Sequence, residues 1–235
     1  TDHSRAVIDY DSEHLRFYLI CGDSLLDIRK KYLHITGYPP LPSKKLLGLW
    51  ISEYGYTNFS EIDTVIKKIE DKKFPLDGVI LDIQWFGGVN SIGSMKFDTS
   101  KFKDPKTNIQ KYNSKGINVM AIEHSYISKN NIFSDIKYAK KNDDIVILKG
   151  DKNFVNNVAM IVCTDPSNTS RWNASRRKYL NSVGIYSHWL DLGEPEYYDK
   201  NAKYHGLEID NLKYKDHKDI HNIYSFLWIK GVYDY

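Results

Sequence analysis

The stretch HWLDLGEPEYYD, residues 188–199, brings three carboxylates to the end of an apolar run: Asp191, Glu194 and Glu196, separated by Gly193 and Pro195. The preceding residues VGIYSHWL read as a buried strand. A carboxylate fixed at such a strand end can act as a nucleophile, a base or a metal ligand. The Gly between Asp191 and Glu194 predicts a sharp turn, which lets Glu194 hold neighbouring groups by hydrogen bonds. Three further apolar runs end in the same way: Glu53 with Tyr54, Asp82 with Trp85, and Glu123 with His124. Each acid alone could be an N-cap or a solvated loop residue. Four strand ends decorated alike argue for a shared site.

Paired carboxylates suit glycoside cleavage, which places one on each side of the scissile bond, about 5–5.5 Å apart when configuration is retained. The nucleophile stays ionised while the acid needs a raised pKa. Asp82, in VILDIQWF, has apolar surroundings that do not by themselves make an acid. It could accept hydrogen bonds from sugar hydroxyls.

The elements that position these residues follow a strand–helix alternation. Apolar runs at 46–51, 77–83, 117–123, 157–164 and 183–191 read as strands. Between them, 60–73 reads as an amphipathic helix with Ser60 as N-cap. Residues 104–116 and 165–182 read as helices that open on Asp-Pro, and 215–235 as a last helix. Near-continuous apolar strands predict a parallel sheet covered by helices. An open sheet and a barrel both fit. The acids at strand ends favour a (β/α)8 barrel, whose strand ends share one mouth. Only about the first four βα units are accounted for. Residues 6–22 read as two short strands about a polar turn, 23–37 as a helix capped by Asp23 or Ser24 and closed at Gly37, and the Pro-rich YPPLPSKK as a boundary. The division expected is 1–45 and 46–235.

Composition narrows the classes. The 235 residues are 41% hydrophobic and 27% charged, ordinary for a globular chain. Net charge is +3 with no clustered basic stripe, which argues against nucleic acid as a partner. No apolar run approaches the ~20 residues of a membrane span. The opening TDHSRAVIDYD does not read as a secretory signal, and the compartment stays open. Cys21 and Cys163 sit in apolar runs and read as buried free thiols. His217 and His221 stand four apart but have no evident third ligand. The sequons at 58–60, 168–170 and 173–175 read as chance matches. The glycines of WFGGVNSIG lack phosphate-loop spacing.

The segments LLGLWISEYGYTNFSEIDTVIKKIEDKKFPLDGVILDIQWF, MKFDTSKFKDPKTNIQKYNSKGINVMAI and WLDLGEPE resemble glycoside hydrolase family 31. This family comprises retaining α-glucosidases, α-xylosidases and α-transglucosylases on a (β/α)8 TIM barrel. DLGEPE together with HNIY at 221–224 is most similar to its bacterial oligosaccharide 4-α-glucosyltransferase branch. The resemblance implies that residues 1–45 end a β-sandwich domain ahead of the barrel. It implies Asp191 as catalytic nucleophile and Glu194 as a supporting carboxylate. It implies Asp82 as the acceptor for the non-reducing sugar's hydroxyls, with Tyr54, Ile83, Ile122 and Trp189 lining that subsite. No metal and no organic cofactor are implied, and the partner is an oligosaccharide.

Three departures stand out. The family's acid/base lies beyond these residues, His124 replaces the usual Asp after the third strand, and Phe154 stands for a usual tryptophan. The rival readings are a non-catalytic carbohydrate-binding barrel and a metal-dependent enzyme using Asp82, Asp191 and Glu194 as ligands.

Overall fold

The computed structural model describes residues 6–9, 15–128, 145–147, 158–195, 199, 202–209 and 211–235. The chain divides into two compact units, Thr1–Ser43 and Lys44–Tyr235.

The first unit contains helix α1 (Leu25–Thr36). Ser24 caps it, its side chain accepting from the Asp27 N–H at 3.2 Å. Gly37 ends it with φ +83°, a left-handed conformation that suits a residue without Cβ. The helix buries none of its residues. The two strands expected in 6–22 do not form in 6–9 or 15–22, and the turn between them lies outside the described residues. A lone hairpin without a third strand or a helix to cover it is marginal in water. Cys21 is exposed, contrary to its expected burial, because this segment has no sheet around it.

The second unit is built on a four-stranded parallel sheet: β1 (Trp50–Glu53), β2 (Gly78–Leu81), β3 (Asn118–His124) and, after three intervening strands, β7 (Ser187–Asp191). Chain order is spatial order, β1-β2-β3-β7. Helices α2 (Phe59–Asp71), α3 (Pro105–Ser114) and α4 (Pro166–Val183) connect them, and α5 (His217–Tyr233) follows β7. These are four consecutive βα units.

Burial alternates over the first four residues of β3, following the two-residue pleat. On β3, Val119, Ala121 and Glu123 are fully buried on the helix side, while Asn118 and Met120 on the other face are half-buried. The helix side carries the core. Phe59, Ile62 and Ile66 of α2, Ile109 and Tyr112 of α3 and Leu180 of α4 pack with Val79, Leu81, Val119 and Ala121.

Helix α2 starts two residues earlier than its sequence suggests. Asn58, not Ser60, is the N-cap, accepting from the Glu61 N–H at 3.0 Å. Glu61 reaches back to the Thr57 N–H at 2.8 Å, so the two side chains satisfy free donors reciprocally.

The run at 157–164 is a correction. Its strand β6 (Val158–Ile161) is not in the parallel sheet. It pairs antiparallel with β4 (Tyr126–Ser128) and β5 (Ile145–Ile147) in a separate three-stranded sheet between β3 and α4. Helix α5 pins this sheet, its Tyr224 hydroxyl donating to the Ile161 carbonyl at 2.9 Å. A hairpin, β8 (Lys203–Ile209) with β9 (Leu212–Asp216), precedes α5.

Candidate active site

The sheet register sets the heights of the site residues. Glu53 pairs with Leu81, Leu81 with Ala121, and Ala121 with His188. The residues that follow, Tyr54, Asp82, Ile122 and Trp189, therefore stand at one level across four strands. His124 and Asp191, themselves register partners, stand one pleat higher on the face of Ile122 and Trp189. Six residues from four separate segments thus meet at the C-terminal edge of one sheet face.

Their surroundings differ. Asp191 is partly open, its side chain 38% exposed. Asp82 is half-buried and caps the short 3-10 turn Ile83–Phe86, its carboxylate accepting from the Ile83 N–H at 2.6 Å. Burial raises its pKa above the usual carboxylate range, the Ile83 N–H opposes this, and the negative charge of Asp191 adds to it. The two carboxylates therefore sense each other across the strand ends. The capping role open to Asp82 is real, and it leaves the second carboxylate oxygen beyond that bond.

Ile83 packs in the hydrophobic core, and it is its backbone N–H that meets the site. Ile122 is buried, and its carbonyl accepts from the Trp85 indole at 3.2 Å. Trp189 packs half-buried against the core. Tyr54 is 68% exposed, and Glu194 is exposed on the loop after β7. Phe154 and Glu196 lie outside the described residues.

The turn after Asp191 is tightly determined. Leu192 takes φ +56°, a left-handed conformation that costs a branched residue about 1–2 kcal/mol. Its carbonyl accepts from the Ser125 hydroxyl at 2.8 Å, tying the ends of β3 and β7 together. A Cβ on Gly193 would lie 2.9–3.0 Å from ring carbons of Trp228, so this glycine admits α5 to the back of the turn.

Glu123 does not belong to the mouth, which corrects its grouping with the other strand-end acids. One residue from His124, it points to the opposite face. There the Arg177 guanidinium of α4 grips it with two bonds of 2.6 Å, and His188 Nδ1 closes on the same carboxylate. Burial pushes its pKa up, but His188 and Arg177 outweigh this and hold it below the usual glutamate range. Arg177 in turn donates to Asn173 at 3.0 Å. This buried network was missed in the sequence, since Arg177 is 54 residues away.

Other candidates resolve simply. Asn168 and Asn173 are buried within α4 and Asn58 is occupied as a cap, so all three sequons serve structure. Burial pushes the Cys163 thiol up to about 12, as an inert core thiol. The rings of His217 and His221 lie 5.8 Å apart. Among the described residues no three His, Cys, Asp or Glu side chains gather as a metal would require, and no helix is long and apolar enough to cross a membrane.

A parallel sheet with helices on one face and carboxylates at its C-terminal edge defines the class of α/β barrels. The family model described as "Glycosyl hydrolases family 31 TIM-barrel domain" matches residues 39–235. The chain belongs to glycoside hydrolase family 31, as a segment of its barrel domain. The alpha-xylosidase of Saccharolobus solfataricus is 30% identical over 183 residues, covering 77% of this chain and 23% of its own. Alpha-glucosidase 2 of Bacillus thermoamyloliquefaciens is 24% identical over 92% of this chain and 28% of its own. The GH31 dextranase of Flavobacterium johnsoniae, solved in complex with glucose, superimposes with TM-score 0.76 at 23% identity over 91% of this chain and 26% of its own. A GH31 alpha-xylosidase from a soil metagenome, solved with xylose, gives TM-score 0.77 at 22% identity. These structural likenesses establish the fold. The chain spans about a quarter of the length of these curated relatives.

Proposed function

We propose that this segment supplies the nucleophile half of a retaining α-glycosidase or α-transglucosylase acting on α-glucosides in oligosaccharides. Asp191 attacks the anomeric carbon as the glycosidic C–O bond breaks, giving a β-glycosyl-aspartate. The departing oxygen takes its proton from an acid on the part of the barrel that follows in the family. Water or an acceptor sugar then releases the glycosyl group. Asp82 accepts hydrogen bonds from sugar hydroxyls, and Tyr54, Ile83, Ile122 and Trp189 shape that subsite. Glu194 supports the loop. Residues 1–45 are the end of a preceding β-sandwich, and 46–235 the first half of the barrel.

The observation that supports this reading most is the common level of Tyr54, Asp82, Ile122 and Trp189 one pleat below Asp191. A sugar ring seated on that level meets the Asp191 carboxylate from one side. An α-xylosidase is the second reading, favoured by the 30% identity to the Saccharolobus enzyme of that name.

The test is covalent trapping in the full-length protein with 5-fluoro-α-glucosyl fluoride, whose leaving group needs no acid, read by peptide mass spectrometry. A label on the WLDLGEPE peptide at Asp191 is expected, and Asp191→Asn should lose the label and nearly all turnover. Label elsewhere, or full activity in Asp191→Asn, would overturn the assignment. Labelling by the xylosyl analogue alone would select the second reading. With maltotetraose, longer oligomers indicate transfer and glucose indicates hydrolysis.

A further inference from the structure

We propose that His124 is a positioning residue for Asp191: its Nε2–H steers one carboxylate oxygen and leaves the other directed at the anomeric carbon. The inference rests on Asp191 as the nucleophile and adds a residue that the carboxylate pair does not require.

The geometry is specific. His124 and Asp191 are register partners at the ends of β3 and β7, and His124 Nε2 lies 3.6 Å from Asp191 Oδ2. The His124 side chain is 2% exposed, against 38% for Asp191. The Phe86 ring meets the imidazole edge-on at 5.8 Å, which fixes its plane. A carboxylate only accepts hydrogen bonds, and His124 Nδ1 is buried with no hydrogen-bond partner. The proton therefore belongs on Nε2, the nitrogen that faces Asp191.

Burial pushes the imidazole down to about 4, with Glu123 pulling the other way, so the ring is uncharged at neutral pH. The ionisable groups around it are Asp191 from β7, which itself faces Asp82 beyond β2, and Glu123 on the other face of β3, already held by Arg177. An uncharged donor orients the carboxylate without the full neutralisation that a cation would impose on a nucleophile. The 3.6 Å separation exceeds a formed hydrogen bond by about half an ångström. Catalytic contacts of this kind shorten when substrate fills the site.

The experiment measures the rate and saturation of Asp191 labelling by the fluorosugar fluoride, across pH, in full-length wild type and three variants. His124→Phe keeps the ring volume without the donor. His124→Gln keeps an N–H near the Nε2 position, and His124→Asn holds its N–H short of it. We expect His124→Phe and His124→Asn to label about tenfold more slowly, with reagent affinity changed less than about threefold. His124→Gln should recover most of the rate. Equal rates in all variants would overturn the inference and leave the nucleophile standing. If His124→Phe does not fold, indistinguishable Gln and Asn variants overturn it equally. A wild type with no label at Asp191 overturns the nucleophile reading and this inference with it.

Discussion

Replacing Arg177 with Met should destabilise the protein by about 3–5 kcal/mol, the cost of leaving one partner of a buried ion pair uncompensated. Arg177 and Glu123 are 2% and 4% exposed, with both guanidinium bonds at 2.6 Å, so water cannot enter to solvate the carboxylate left behind. A unit of 150–250 residues loses about 2–4 °C per kcal/mol and a larger one less, so the apparent melting temperature should fall by up to roughly 20 °C. The assay is thermal unfolding of the full-length protein followed by near-ultraviolet circular dichroism, at pH 7 and again at pH 4. Glu123 has a pKa held below its unfolded value. Its contribution is therefore complete above the ordinary glutamate pKa of about 4.3 and is lost as pH falls through the lower folded value. The deficit of Arg177→Met should shrink towards pH 4. Adding Glu123→Leu should restore about 2 kcal/mol or more, because the orphaned charge is gone. A loss under about 1 kcal/mol, or a double variant as unstable as the sum of the singles, would refute the account of a coupled buried pair.

Three other outcomes follow from the same geometry. Gly193→Ala forces its new methyl against Trp228, and should cost about 1–3 kcal/mol in unfolding and slow Asp191 labelling as the turn shifts. On the proposed reading of Asp82 as the acceptor for sugar hydroxyls, Asp82→Asn removes that acceptor and a negative neighbour of Asp191, and kcat/KM should fall about tenfold or more. In native protein, alkylation followed by mass spectrometry should modify exposed Cys21 and spare Cys163 until the chain is unfolded.

The helices were legible because their signals are local: Ser24, Asp104-Pro105, Asp165-Pro166 and the terminal glycines act within a turn of themselves. The three parallel strands before residue 125 and β7 were legible as apolar runs. The run at 157–164 misled for a physical reason: a strand covered on both faces reads the same whether its neighbours are parallel or antiparallel. The hairpin at 203–216 escaped notice because Lys203, Glu208, Lys213 and Lys215 interrupt its apolar residues. Its one signal was the Asp-Asn dipeptide, whose Asn211 takes φ +66°. At the strand ends, Asp191 and Asp82 were legible by type and place, while Trp189 was singled out by the family resemblance. Glu123 did not reveal which face it occupied, since a shift of one residue reverses the side. The partner that decides the matter, Arg177, lies too far along the chain for any local pattern to point to it.

The long-range ties around β3, β6 and β7 have a consequence for the order of assembly. Glu123 to Arg177 spans 54 residues, Tyr224 to Ile161 63, and Ser125 to Leu192 67. Contacts of such separation form slowly, because long loops must close before they are rewarded. Trp228, which backs the turn at Gly193, is among the last residues to leave the ribosome in this stretch. The sheet can therefore condense with Asp191 in register while its turn is still unbraced. Asp191 acquires its final orientation late, only after α5 has docked.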